Sequence, residues 1–222
     1  FTQKETPFMT HHNNETLART RAFFDKRAAN WDSMISAGHA KRLQTLIEVL
    51  PISPRACVLD VGCGTGVLLP ILRDMLGAAG RVVAADISFP MLQEADKRAA
   101  ALHTNLQVPA FVPVQADVVQ PPWCPLSFDW IICNSCFPHF HDQQQAMNTM
   151  AGLLKFGGRL VVCHTESRDA INQRHRTVGG EVGGHELPDS TCMGGMVKNA
   201  GLLLEQLRES SDAYMMTARK ET

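Results

Sequence analysis

The chain reads as an α/β fold, a doubly wound and mostly parallel sheet, on three observations. Val58, Leu59 and Val61 form an apolar, partly β-branched run, as a parallel strand covered on both faces requires, and Gly62, Gly64 and Gly66 follow at once. A second such run, Arg81-Val-Val-Ala-Ala-Asp86, follows a helical stretch, and each run carries an acid at its carboxyl end. Short apolar runs go on alternating with helical stretches as far as His164, the order that builds βαβ units.

Bulk properties narrow the function classes. At 222 residues the chain suits one domain with a sizeable core. Lys plus Arg number 21 against 22 for Asp plus Glu, a net charge of −1, so no overall field recruits nucleic acid or an anionic membrane surface. Seven cysteines, an odd number spread through strands and turns, suit reduced thiols in the cytoplasm and not a disulfide framework. No run of about 18 apolar residues is present, and the polar stretch Thr10 to Glu15 falls where a signal peptide needs its apolar region. The expectation is a cytoplasmic monomer or homodimer, with no nucleic-acid partner and no membrane span. Residues 1–12 carry no part of the reading.

Taken in order, Glu15 to Trp31 and Ala37 to Leu50 show helical apolar spacing, the second ending at Pro51. The strand at Val58 then meets a glycine turn, where missing Cβ atoms let backbone approach a ligand, and a helix start at Val67 to offer free N–H groups. A dinucleotide fingerprint, G-x-G-x-x-G, would need glycine at position 67, where Val67 stands. That spacing argues against a dehydrogenase. Asp60 puts a carboxylate at the strand's carboxyl end, within reach of a ligand's ammonium group.

Val-Leu-Asp-Val-Gly-Cys-Gly-Thr-Gly, residues 58–66, resembles the first motif of class I S-adenosylmethionine-dependent methyltransferases, especially their small-molecule branch. Phe23 to Asp32 is similar to the F-x-x-x-A-x-x-W/Y-D lead-in of the ubiquinone/menaquinone-type superfamily, and Leu154 to Leu160 resembles its L-K-P-G-G-x-L signature with Phe156 in place of proline. The resemblance covers residues 23–219. It implies a Rossmann-like seven-stranded sheet of order 3-2-1-4-5-7-6 with the last strand antiparallel, N-terminal helices and a lid insertion. One domain over 1–222 then divides into N-terminal helices (15–50), cofactor core (55–164), lid (165–190) and C-terminal helix and hairpin (191–219).

The remaining elements fit that frame. Asp86 ends the second strand, where a carboxylate can receive both ribose hydroxyls. Ser88 can cap the next helix, and Ile87 and Met91 offer walls for an adenine face. Phe111 to Val118 is the third strand, its Pro113 suited to an edge. The resemblance implies an adenine contact from Asp117 and the Val118 N–H, although an aspartate in a turn commonly caps its own backbone. It likewise places Trp31 over the cofactor. After a connector at Gln120 to Pro125, Phe128 to Asn134 is the fourth strand, with Asn134 at the crevice outside the strand ends. The helix Gln143 to Lys155 is expected to end at Phe156-Gly-Gly, and Arg159 to His164 to be strand five. Residues 165–190 read as a polar, glycine-rich irregular lid. Leu202 to Arg208 and Ala213 to Arg219 close the sheet as a hairpin.

Cofactor-binding candidates are therefore Trp31, Asp60, Gly62, Cys63, Gly64, Gly66, Asp86, Ile87, Met91, Asp117, Val118 and Asn134, with S-adenosylmethionine as cofactor and S-adenosylhomocysteine as product. Methyl transfer needs alignment, exclusion of water and sometimes a general base. His139, His141, His164, Glu166, His175 and His185 lie in or beside the expected crevice and lid, and His139, His164 and His175 are the catalytic candidates. A structural histidine is the competing reading at each. Two other functions compete: a thiol or metalloid methyltransferase using Cys133 and Cys136, and a non-catalytic cofactor-binding protein. No metal site is expected, since one C-x-x-C pair falls short of four ligands.

Overall fold

Seven strands lie in the order β3-β2-β1-β4-β5-β7-β6 in the computed structural model, which describes residues 9–35, 38–102 and 110–221. The helix start expected at Ala37 and the terminal residues 1–8 and 222 lie outside the described residues. The strands are β1 (Cys57–Val61), β2 (Arg81–Asp86), β3 (Ala110–Gln115), β4 (Phe128–Asn134), β5 (Leu154–His164), β6 (Leu202–Glu209) and β7 (Tyr214–Lys220). The first five pair in parallel, while β7 runs antiparallel between β5 and β6. This is the expected sheet. Its consequence is that Val61, Asp86, Asn134 and His164 end four parallel strands along one edge.

Alternate strand residues feed two cores. Val58, Val82, Ile132 and Val161 pack with Leu43 and Ile47 of α3 (His39–Glu48), Leu72 of α4 (Leu69–Met75) and Leu92 and Ala95 of α5 (Phe89–Leu102). Leu59, Val83, Ile131 and Val162 face Met147 and Met150 of α6 (Gln143–Leu153) and Met193 and Val197 of α8 (Ser190–Asn199). Both faces are covered, which is why these strands are nearly continuous apolar runs. Only Phe111 and Val114 of β3 are half-buried and the rest are exposed, as suits the sheet edge, where Pro113 forgoes one ladder bond at little cost.

Five local readings change. The first helical run splits into α1 (Met9–Asp25), a 3-10 turn at Ala28–Asn30 and the short α2 (Trp31–Met34). The Arg27 N–H bonds the Phe24 carbonyl three residues back, and its guanidinium takes the Phe23 carbonyl that an α-helical N–H would need. The third strand stops at Gln115, so Asp117 sits in the turn beyond it. α4 begins at Leu69 and not Val67, because Gly62, Gly64 and Gly66 all have positive φ and Pro70 fits a first turn. Phe156-Gly157-Gly158 is no helix end: α6 stops at Leu153 and these residues form an irregularity inside β5, opposite Phe128 to Trp130. A Cβ on Gly158 would come within 2.9 Å of the Lys155 carbonyl, so only glycine lets the strands close there.

The last change concerns residues 165–190. Up to the start of α8 they form helix α7 (Arg168–Val178), a 3-10 turn at Gly180–Val182 and a short loop, so the stretch is mostly helical and not irregular. Ser167 caps α7 by accepting the Ala170 N–H at 3.2 Å. Only Ile171 and Asn172 of the helix are buried, too few to set a helical period in the sequence.

Candidate active site

A cavity of about 670 Å³ opens along the carboxyl edge of the parallel strands, lined by the glycine turn, the ends of β2, β4 and β5, the N-terminal helices and α7. The turn's backbone makes the floor. A Cβ on Gly62 would stand 2.5 Å from the Cys136 Cβ, so the β1 and β4 ends approach only through glycine. At Gly64 (φ 53°) a Cβ would meet nothing within 4 Å; there the backbone conformation demands glycine, and the residue faces the cavity. Gly66 does not line the cavity: it packs against Leu69 and Ala95, where a Cβ would meet atoms at 2.7 and 3.1 Å. Because α4 starts beyond it, no first-turn helix N–H contributes to the floor.

Two buried acids dominate this end. Asp60 is 1% exposed, and its Oδ2 has no hydrogen-bond partner. Burial and then the Asp86 charge push its carboxyl up to about 8. Asp86 is raised to about 6 by burial, opposed by the N–H groups of Ser88 (2.8 Å) and Gly64 (2.9 Å) that donate to its two oxygens. Asp86 thus holds the glycine turn in place while its remaining lone pairs line the cavity. Two such carboxyls side by side suit a cationic, hydroxyl-bearing ligand.

Of the other candidates, Trp31, Cys63, Ile87, Met91, Asp117, Val118 and Asn134 all line the cavity. Asp117 Oδ1 accepts the Val119 N–H at 3.0 Å, the self-capping alternative, which leaves one oxygen for a ligand. Ser88 caps α5 through the Met91 N–H as expected. Of the two thiols at 133 and 136, only the second reaches the cavity. Cys133 is buried against Met150, whereas Cys136 lines the cavity and donates to the Val61 carbonyl at 2.9 Å. Burial raises the Cys63 thiol well above its ordinary value, and a Cys133 hydrogen bond with burial does the same for Cys136.

The opposite end, beside β4 and β5, is built of histidines from separate elements. His139 Nδ1 lies 2.9 Å from His185 Nδ1, and His175 Nδ1 lies 2.6 Å from the His185 carbonyl oxygen. The His139 ring contacts those of His175 (4.9 Å between centroids) and Phe24 (5.2 Å). His164, 4% exposed, has an unpartnered Nε2 and is pushed down to about 3 by burial. Burial also lowers His39, His139, His175 and His185, which favours the neutral form of each ring. His139, His164 and His175 are thus brought together. Sequence reasoning passed over His39, which bonds Thr165 Oγ1 at 2.7 Å and has no spacing relation to the others.

A second omission is Asp32. Its Oδ1 accepts the Thr65 hydroxyl at 2.6 Å, and its other oxygen pairs with Arg98 of α5. The residue after Trp31 therefore ties the N-terminal segment to the glycine turn. Asp32→Ala is expected to lower the melting temperature by about 2–4 °C, the effect of about 1 kcal/mol in a domain this size. Calorimetry should show Asp32→Asn, which keeps an acceptor for Thr65, losing less.

The methyltransferase-domain family model matches residues 58–158, from β1 to the start of β5. A ubiquinone/menaquinone biosynthesis C-methyltransferase of Vibrio vulnificus is 32% identical over 161 residues, 70% of this chain and 60% of that one. A demethylmenaquinone methyltransferase of Lactiplantibacillus plantarum is 32% identical over 162 residues, 70% of this chain and 66% of that one. The chain thus spans about 60% of the length of the first of these relatives. Among solved structures, magnesium protoporphyrin IX methyltransferase of Synechocystis, with S-adenosylhomocysteine bound, has a TM-score of 0.71 at 18% identity, covering 93% of this chain and all of that one. A Haloferax volcanii methyltransferase in complex with the Trm112 activator reaches 0.73 at 17% identity, covering 90% and 98%. With this sheet order, that domain match and these relatives, the chain belongs to the class I S-adenosylmethionine-dependent methyltransferases.

Proposed function

We propose that this chain transfers a methyl group from S-adenosylmethionine to a small-molecule acceptor. The observation that carries the reading is the pair of buried acids around the glycine turn, with Asp60 Oδ2 unpartnered at the cavity. The residues fit the cofactor. Asp60 would receive its ammonium group, Asp86 the ribose hydroxyls, Ile87 and Met91 the adenine faces, and Asp117 with the Val118 N–H the adenine edge. Trp31 would cover it and Asn134 would face its reactive end. When bound, S-adenosylmethionine supplies an electrophilic methyl group on a sulfonium. The chain's own contribution is alignment in the cavity, worth about 7–11 kcal/mol for a well-placed pair.

The seven free cysteines support a cytoplasmic setting. Only Cys136 of the two thiols lines the cavity, which favours a carbon, oxygen or nitrogen acceptor over a metalloid held by both.

A thermal-shift comparison tests the reading. S-adenosylhomocysteine at about a hundred times its Kd should add about 2.7 kcal/mol, raising the melting temperature by about 5–10 °C, while NAD does nothing. Stabilisation by NAD alone would overturn the assignment. Asp86→Ala should weaken S-adenosylhomocysteine binding by about 2 kcal/mol, roughly 30-fold, through loss of charge-assisted bonds and of the Gly64 anchor. Equal affinity in titration calorimetry would show the ribose subsite misplaced.

A further inference from the structure

We propose that the acceptor bears a weakly acidic O–H or N–H, and that His175 is the base that takes its proton during methyl transfer. The inference rests on the methyl-transfer reading above and concerns the histidine end of the same cavity.

His175 is the one imidazole there whose lone pair the surroundings assign. Its Nδ1 lies 2.6 Å from the His185 carbonyl oxygen. A carbonyl only accepts, so Nδ1 carries the hydrogen, and in a neutral ring Nε2 is left as the acceptor. The other rings lack this. His139 is bound through Nδ1 to another imidazole, and either ring can supply the hydrogen. His39 is bound to the Thr165 hydroxyl, which both donates and accepts. His164 is buried at the end of β5, and its Nε2 has no protein partner to assign its hydrogen. His175 is only half-buried, and its Nδ1–H keeps the carbonyl bond when Nε2 is protonated, which favours the cation it would become.

Glu166 and Arg174 pair with each other, Arg27 keeps its charge beside the Phe23 carbonyl and ring, and Asp142 sits at the exposed rim capping α6 through the Gln145 N–H. Gln145, Thr165 and the apolar side chains of Phe24, Phe140, Ile171 and Val182 also line this end. An acceptor O–H or N–H that reaches it finds the His175 lone pair. The step balances. The acceptor's electron pair forms the bond to the methyl carbon, the carbon–sulfur bond breaks with its pair going to sulfur, and the acceptor's proton goes to His175 Nε2. One positive charge, on sulfur before and on imidazole after, stays in the cavity throughout.

Two measurements test this. In protein labelled with ¹⁵N-histidine and saturated with S-adenosylhomocysteine, two-bond ¹H–¹⁵N spectra at pH 7.5 should show His175 protonated at Nδ1 and bare at Nε2, with signals assigned by their loss in His175→Gln. A proton on Nε2, or a doubly protonated ring, would overturn the proposal. Methyl-labelled S-adenosylmethionine should then label catechol or 1,4-naphthohydroquinone. His175→Gln should slow that labelling by at least 100-fold while leaving S-adenosylhomocysteine affinity within twofold. Labelling of neither probe, or an undiminished rate in His175→Gln, counts against it. If the unaltered protein fails to bind S-adenosylhomocysteine at all, the methyl-transfer reading fails instead.

Discussion

Asp60→Asn is expected to melt higher than the unaltered protein at pH 8, by on the order of 5–10 °C, while binding S-adenosylhomocysteine much less well. An ordinary aspartate ionises near 3.8, but burial and the neighbouring Asp86 charge hold Asp60 protonated to about 8. Between those values the folded protein keeps a proton that the unfolded chain has released. Its contribution to stability is therefore complete below about pH 4 and is lost as pH climbs to about 8. Asparagine has nearly the same shape and does not titrate. The difference in melting temperature should accordingly be small at pH 4 and grow up to pH 8. Binding runs the other way, because the ligand's ammonium group favours the ionised carboxylate. The unaltered protein's affinity should rise by up to about tenfold per pH unit between 6 and 8, a slope that the asparagine substitution would remove. Melting curves that stay parallel from pH 4 to pH 8 would show that Asp60 is not the buried acid described here.

How far the sequence reaches follows from where its signals are local. Asp60 and Asp86 were legible because each lies at the carboxyl end of a five- or six-residue apolar strand, and a strand end in a parallel sheet fixes a place in space. The glycine turn was legible as a turn, yet the sequence did not separate Gly62 and Gly64, which line the cavity, from Gly66, which packs on Ala95. That distinction depends on a helix 29 residues away. α7 was missed for a related reason: an exposed helix with only Ile171 and Asn172 buried shows no apolar period. The histidine assembly was legible only as a list of candidates. His39, His139, His164, His175 and His185 come from α3, the 3-10 turn at Phe137–His139, the end of β5, α7 and the loop after it, so their contacts arise only when these elements pack.

Asn172 decides whether that assembly holds. Its side chain donates to the Leu187 carbonyl at 3.1 Å and accepts the Leu187 N–H at 2.8 Å, with both residues buried. One amide thus substitutes for a backbone partner and fastens the loop after Val182 to α7. Asn172→Leu, of similar size, removes both bonds and leaves a buried N–H and C=O unmet, a loss of about 1–3 kcal/mol for each. The expected result is a melting temperature lower by on the order of 5–15 °C. Faster hydrogen exchange should be confined at first to residues near Leu187. His185, two residues earlier, carries both the carbonyl that bonds His175 and the ring that bonds His139. The same substitution should therefore release the His175 tautomer, seen as a mixture of Nδ1–H and Nε2–H signals. S-adenosylhomocysteine affinity should change by less than about threefold, because Asp60 and Asp86 stand on β1 and β2, and a loss of a few tenths of a kcal/mol is the ordinary coupling between separated sites. An unchanged exchange rate at Leu187 would mean that the loop is held by other contacts, and a collapse of cofactor affinity would mean that the two ends of the cavity are one cooperative unit.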